Sequence, residues 1–105
     1  MRSLVCFTVV LCPLLCAGNA GPQPLTTDER IAAYGKLAAS RPQDLQVKNQ
    51  LAGAYIQKMR ETTDFAYVDR AEKLVRNVLS VEPDNYEALR LRSEISREKA
   101  ATSAR

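Results

Sequence analysis

The sequence predicts an all-α fold of about four antiparallel helices, and three observations carry that expectation. Between Thr26 and Ala100, apolar residues recur every three or four positions in four successive segments, which lines them along one side of a helix. Short breaks at Arg41-Pro42, Glu61 to Asp64 and Glu82 to Asn85 separate those segments, and they hold residue types that stop one helix or cap the next. The chemistry of other fold types is also missing. Cys6, Cys12 and Cys16 are the only cysteines, all within the first twenty residues, and there is no His. Beyond residue 20 no disulfide can staple the chain, and the commonest metal ligand and neutral-pH general base is absent.

The N-terminus reads as an export signal. Arg2 supplies the early positive charge, residues 4–17 are almost uninterruptedly apolar or small, and Gly18 and Ala20 set small residues before a cut after Ala20. The run is too short for a membrane span of about 20 apolar residues, and Pro13 interrupts it. Segment 1–20 is therefore taken as a signal peptide of an exported protein, secreted or periplasmic, with membrane contact only through an uncleaved signal. Of the 105 residues, 85 remain, enough for one small domain with a modest core. Loss of Arg2 lowers the formal charge from +3 to +2, and acids and bases are interspersed, so no nucleic-acid footprint stands out.

Residues 21–25 carry Pro22 and Pro24, which fix φ and withhold amide donors, and are read as an extended leader. The helical domain spans 26–100. Thr26 and Glu29 form a capping box for a first helix from about Thr27 to Ser40, with Ile31, Tyr34, Leu37 and Ala38 as its stripe. Arg41-Pro42 ends it. Asp44 caps a second helix, Leu45 to about Arg60, whose broad apolar face holds Val47, Leu51, Ala52, Tyr55, Ile56 and Met59. Gly53 interrupts that helix at a cost of about 1 kcal/mol, and close approach of a neighbouring backbone is its expected reason.

Glu61 to Asp64 makes a turn, with Asp64 capping a third helix that runs to about Val81. Val68, Ala71, Leu74, Val75, Val78 and Leu79 form its stripe, with Asp69, Arg70, Lys73, Arg76 and Asn77 pointing away. After Glu82 to Asn85 a fourth helix runs from about Tyr86 to Ala100, thinly apolar at Ala88, Leu89, Leu91 and Ile95. Arg90 with Glu94 and Glu94 with Arg97 are expected surface pairs worth a few tenths of a kcal/mol. Residues 101–105 are expected to fray.

The order Val47, Leu51, Ala52, Ala54 and Tyr55, then Ala71, Val75, Val78 and Pro83, resembles the tetratricopeptide repeat. In that family a first helix carries a small residue, a Leu followed by a small residue, then Tyr, and the second helix ends before Pro. The departures are Lys48 at the family's bulky position and Val75 where an aromatic stands. Pro42 and Pro83 lie 41 positions apart, against a usual period of about 34, so the unit carries about seven extra residues near positions 60–66. Two extra helical turns shared between the arms, or a longer loop, accommodate them. In the same frame Tyr34, Leu37 and Pro42 end a preceding half-repeat, and Ala88 and Leu89 begin a following one. Arg92 and Ser96 replace that unit's Leu and Tyr, which suits a polar terminal cap.

The resemblance implies one complete hairpin flanked by two half-repeats, and a protein-interaction module with no cofactor, no metal and no catalytic residues. It also implies a concave face lined by Gln46, Asn49, Gln50, Gly53 and Gln57 from the second helix and Glu87, Arg90 and Glu94 from the fourth. The family's carboxylate-clamping set of Lys, Asn and Arg is not present, with Asn49 its partial echo. The expected function is an exported adaptor holding a segment of another protein. The alternative is a homo-oligomer whose copies complete each other's stack. Acid pairs such as Asp28 with Glu29 suit a helix start better than an active site, and no deep pocket is expected to gather them.

Overall fold

A computed structural model describes residues 24–104. The signal-peptide expectation for 1–20 lies outside the described residues, as do residues 21–23 of the leader and Arg105 of the tail. The fold is all-α and consists, among the described residues, of four helices: α1 (Thr27–Ser40), α2 (Leu45–Thr62), α3 (Ala66–Val81) and α4 (Tyr86–Ser103). None of them is long and apolar enough to cross a membrane.

Local chemistry starts each helix. At α1 the Thr26 hydroxyl accepts from the Glu29 amide, and the Glu29 carboxylate accepts from the Thr26 amide in return. Asp44 accepts from the Val47 amide at the start of α2, and Asn85 accepts from the Ala88 amide at the start of α4. These side chains satisfy amides that the first turn leaves without an intrahelical partner. The expectation of Asp64 as the cap of α3 is corrected: Phe65 holds the cap position and makes no side-chain cap bond, while Asp64, one residue earlier, accepts from the Ala66 amide at 3.0 Å within the turn.

The extra residues near 60–66 enter helix, because α2 continues to Thr62 and only Thr63, Asp64 and Phe65 connect it to α3. Thr63 turns the chain in left-handed geometry, φ 58° and ψ 22°, an uncommon place for a β-branched residue. The tail expectation is corrected: residues 101–103 belong to α4. Lys99 holds both carboxylate oxygens of Glu72 on α3 at 2.8 Å, and the Thr102 hydroxyl bonds the Glu98 carbonyl, so the last turn has anchors that its composition does not advertise.

The four sides of α2 explain the arrangement. Lys48 bonds Asn77 near the end of α3, and Ala52, Tyr55 and Met59 continue that side at helical spacing. Lys58 pairs with Asp28 at 2.8 Å and Glu61 accepts from Thr27 at 2.6 Å, which places the end of α2 beside the start of α1. Val47, Leu51 and Ala54, all buried, lie on that same side. Asn49, Gly53, Ile56 and Arg60 face α4, through Asn85, Leu91 and Glu94 respectively for the first, second and fourth. Helices α1 and α3 thus run antiparallel to α2, whereas α4 runs parallel to it. Among the described residues α1 packs on α2 alone, while α3 contacts both α2 and α4.

The core lies between α2, α3 and α4. Ile56, Val68, Val75, Val78, Leu91 and Ile95 are almost completely buried there, each worth about 1.5–3 kcal/mol of apolar transfer. Ala52, Ala71 and Ala88 are fully buried beside them, and their small side chains let the helix axes approach. On the outer seam Tyr55 stacks on Tyr67 with centroids 6.0 Å apart. The Arg70 guanidinium lies 5.2 Å from the Tyr67 ring centre and 6.0 Å from that of Tyr55, a cation–π arrangement. The expected reason for Gly53 is corrected. A Cβ at that position would meet only the Leu91 side chain, at an ordinary 3.9 Å.

Candidate functional site

The fourth side of α2 carries Gln46, Gln50 and Gln57, which no other helix covers. They floor a groove whose walls are α1 and α4. The spacing that puts Val47 and Leu51 on α1, and Asn49 and Gly53 on α4, leaves these amides in the gap between them.

Two adjoining cavities make up this groove. One, of about 480 Å³, brings together Asn49, Gln50, Gly53, Gln57, Glu87, Arg90 and Glu94. The other, of about 670 Å³, holds Gln46 with Asn49, Gln50 and Glu87 again on its wall. All eight residues expected on the concave face therefore converge on one continuous surface. The sequence reading missed its other members. Arg30 and Tyr34 enter from α1, Arg60 from the end of α2, and Glu82 and Tyr86 from the turn into α4. Arg30 and Tyr34 stand four apart, so an antiparallel pairing of α1 with α2 was the signal that could have placed them. Tyr86 is 77% exposed although it is aromatic, a trait that only coordinates reveal.

The residues differ in what they are free to do. Asn49 is 6% exposed, unlike Gln46 and Gln50. Its Nδ2 donates to Asn85 Oδ1 at 3.1 Å, while its own Oδ1 is buried without a donor. Asn85 Oδ1 already accepts from the Ala88 amide and must remain an acceptor, so only the NH2 of Asn49 fits against it. Asn49 thus belongs to the framework of the groove as well as to its wall. Gln57 donates to Glu61 at 3.2 Å, and that carboxylate is drawn below its usual range by the Thr27 hydroxyl first and Gln57 second.

Charge is distributed unevenly along the groove. Arg90 pairs with Glu87 and Glu94 on its own helix. The hydrogen bond from Arg90 lowers the Glu87 pKa, and the bond to Glu87 raises that of Arg90. Arg60 forks to Glu94 at 3.2 Å and Glu98 at 3.0 Å. The expected pair of Glu94 with Arg97 is corrected: Glu94 is taken by Arg60 and Arg90, and Arg97 lies on the open side of α4 with Tyr86, Leu89 and Ser93. Arg60 and Arg90 are thus matched by Glu94, Glu98 and Glu87, which leaves Arg30 as the groove-wall arginine without an ion pair among the described residues.

Among the described residues no group of three or more Asp, Glu, His or Cys is placed to hold a metal ion. Comparison of the chain with protein-family models, curated proteins and solved structures finds no match.

Proposed function

We propose that this protein is a small tetratricopeptide-like interaction module that holds a segment of another polypeptide in the groove between α1 and α4. The observation that carries this reading is the line Gln46, Gln50 and Gln57, exposed or half-exposed amides that stand on the one side of α2 left open by its neighbours. A primary amide offers both donor and acceptor, which matches the alternating N–H and C=O groups of an extended backbone. Binding then proceeds by shape complementarity and hydrogen bonding, with no cofactor. The export signal read from residues 1–20 sets the place of action outside the cytoplasm, so the partner is a secreted or envelope protein.

The test is replacement of Gln46, Gln50 and Gln57 together by Ala. Capture of the partner by the tagged chain in its native cells should fall, while the melting temperature stays put. Unchanged capture contradicts the groove. Asn49 is unsuitable for this purpose, because its loss also removes the tie to Asn85.

Self-association is the second reading. Among the described residues helix α1 packs only on α2, and α4 turns Tyr86 and Leu89 to an open side, so a second copy has helices left to meet. Loss of helicity on dilution supports it, and concentration-independent helicity contradicts it.

A further inference from the structure

We propose that the segment held in the groove is an amphipathic helix of the partner, lying parallel to α2, with an acidic residue set against Arg30. This rests on the reading of the groove as a polypeptide-binding site and narrows the segment to a helix, whose side chains meet the glutamine amides.

The chain repeats one unit. Pro42 and Pro83, the caps Asp44 and Asn85, and the capped positions Val47 and Ala88 each lie 41 positions apart. The turns match bond for bond. The Arg41 and Glu82 amides donate to the Leu37 and Val78 carbonyls at 2.8 Å, and the Asp44 and Asn85 amides to the Arg41 and Glu82 carbonyls at 3.0 Å. Lys58 and Lys99, at the same interval, each tie their helix to the one before, through Asp28 and Glu72 at 2.8 Å. The pair α1 and α2 therefore recurs as α3 and α4.

Helix α2 also lies against that second pair, packing on both α3 and α4. On α4 it meets Leu91, Glu94 and Glu98, while α3 turns Ala71, Val75 and Val78 into the same core, all buried. One unit earlier those positions are Gln50, Gly53 and Gln57 on α2 and Arg30, Tyr34 and Leu37 on α1. All but Leu37 line the groove, and α1 has no buried residue. The groove is thus to α1 and α2 what the seat of α2 is to α3 and α4. Since α2 runs parallel to α4 and antiparallel to α3, a helix parallel to α2 and antiparallel to α1 fits the groove.

Charge decides whose helix it is. A second copy continuing the repeat would bring its α4, whose outward side carries Leu89, Arg90, Ser93 and Arg97. Glu94 beside them is already held by Arg60 and Arg90. That side offers Arg30 no free carboxylate and adds cations of its own. A foreign helix with an acid opposite Arg30 and apolar residues over Tyr34 and Leu37 complements the groove in charge and in shape.

The experiment titrates the isotope-labelled full-length chain with a synthetic peptide as long as α2, blocked at both ends. It carries Leu at every third or fourth position, Glu beside that stripe and Gln elsewhere. One control has Lys in place of Glu, and another has central Pro residues, which a helix interior does not accommodate. The Glu peptide should gain helicity on binding and shift the backbone amides of Arg30, Tyr34, Gln50 and Gln57, but not that of Arg76. A spin label at its N-terminus should broaden Gln46 more than Gln57. The Lys peptide should bind at least about tenfold more weakly. Arg30→Glu should reverse that order, and the milder Arg30→Gln should erase it, which keeps the test open if the first variant folds poorly. Equal binding of the Glu and Lys peptides, an order insensitive to Arg30, or absence of shifts overturns the proposal. Equal binding of the Pro peptide overturns the helix and leaves the groove standing. Groove amides that shift when the chain alone is concentrated overturn the foreign helix in favour of a second copy. Binding as described, with no foreign capture through Gln50 in cells, supports the helix seat and overturns the groove's cellular role.

Discussion

Asn49 on α2 donates from Nδ2 to Oδ1 of Asn85 across 3.1 Å, and Asn85 uses the same oxygen to cap α4. One bond therefore couples the position of the groove floor to the start of the helix that forms its wall. Replacing Asn49 by Ala should lower unfolding stability by about 1 kcal/mol, the usual net worth of such a bond. Replacement by Asp should cost about 2 kcal/mol or more, since a carboxylate would face an oxygen that must stay an acceptor. Urea unfolding of the two variants checks the ranking, and an Asp variant as stable as the Ala variant would contradict it.

Two backbone positions should yield stability gains. A Cβ at Gly53 meets only Leu91 Cδ2 at 3.9 Å, so Gly53→Ala should stabilise by up to about 1 kcal/mol through helix propensity. Thr63 holds φ 58° with a branched Cβ, and Thr63→Gly should gain about 1 kcal/mol by removing that strain. Thermal melts give the sign directly; a lower melting temperature for either variant refutes its assignment.

Burial on α4 predicts a contrast between neighbours. Leu91 is 1% exposed within the core, whereas Leu89 sits half-buried on the open side. Leu91→Ala should cost about 2–5 kcal/mol, a large part of what so small a domain possesses. Leu89→Ala should cost less than about 1 kcal/mol. Urea midpoints compared with wild type decide it.

Acid should weaken the fold. Glu29, Glu61, Glu72 and Glu87 all lie below their ordinary value of 4.5 in the folded chain, held chiefly by the Thr26 amide, the Thr27 hydroxyl, Lys99 and Arg90 respectively. Depressed carboxylates contribute stability that is present above pH 4.5 and disappears as pH falls through their folded values. Lys58 is raised above 10.5 by Asp28, so its contribution is present below that pH and is lost above it. The urea midpoint should be flat from about pH 6 to about pH 9 and fall on both sides. A midpoint that rises on acidification below pH 4.5 would contradict these assignments.

Much of the architecture was legible because local chemistry dominates it. Thr26 with Glu29, Asp44 and Asn85 act at the starts read from the sequence, and Val68, Ala71, Val75 and Val78 are the buried part of the stripe read for α3. The groove residues from α2 were legible only through the repeat resemblance; the structure supplies the reason, since Val47 and Leu51 go to one neighbour and Ala52 and Met59 to another and helical geometry then leaves the glutamines on the open side. Long-range facts were not. The sequence does not say that Lys99 reaches Glu72 and holds the last turn, nor that Arg60 takes Glu94 from Arg97. The repeat resemblance places Asn49 on the concave face, but its burial depends on how closely α4 approaches, a distance that no periodicity encodes. Arg30 and Tyr34 escaped because they join the groove from another helix.

The central claim is that the open side of α2 receives a polypeptide segment. The most direct measurement places a photo-crosslinking residue at Gln50 in the groove and, separately, at Arg76, exposed on α3, and compares what each captures in native cells. The account predicts one dominant foreign polypeptide at Gln50, absent at Arg76 and diminished when Gln46 and Gln57 are replaced by Ala. Equal capture at both positions, or capture of this chain alone, would contradict it.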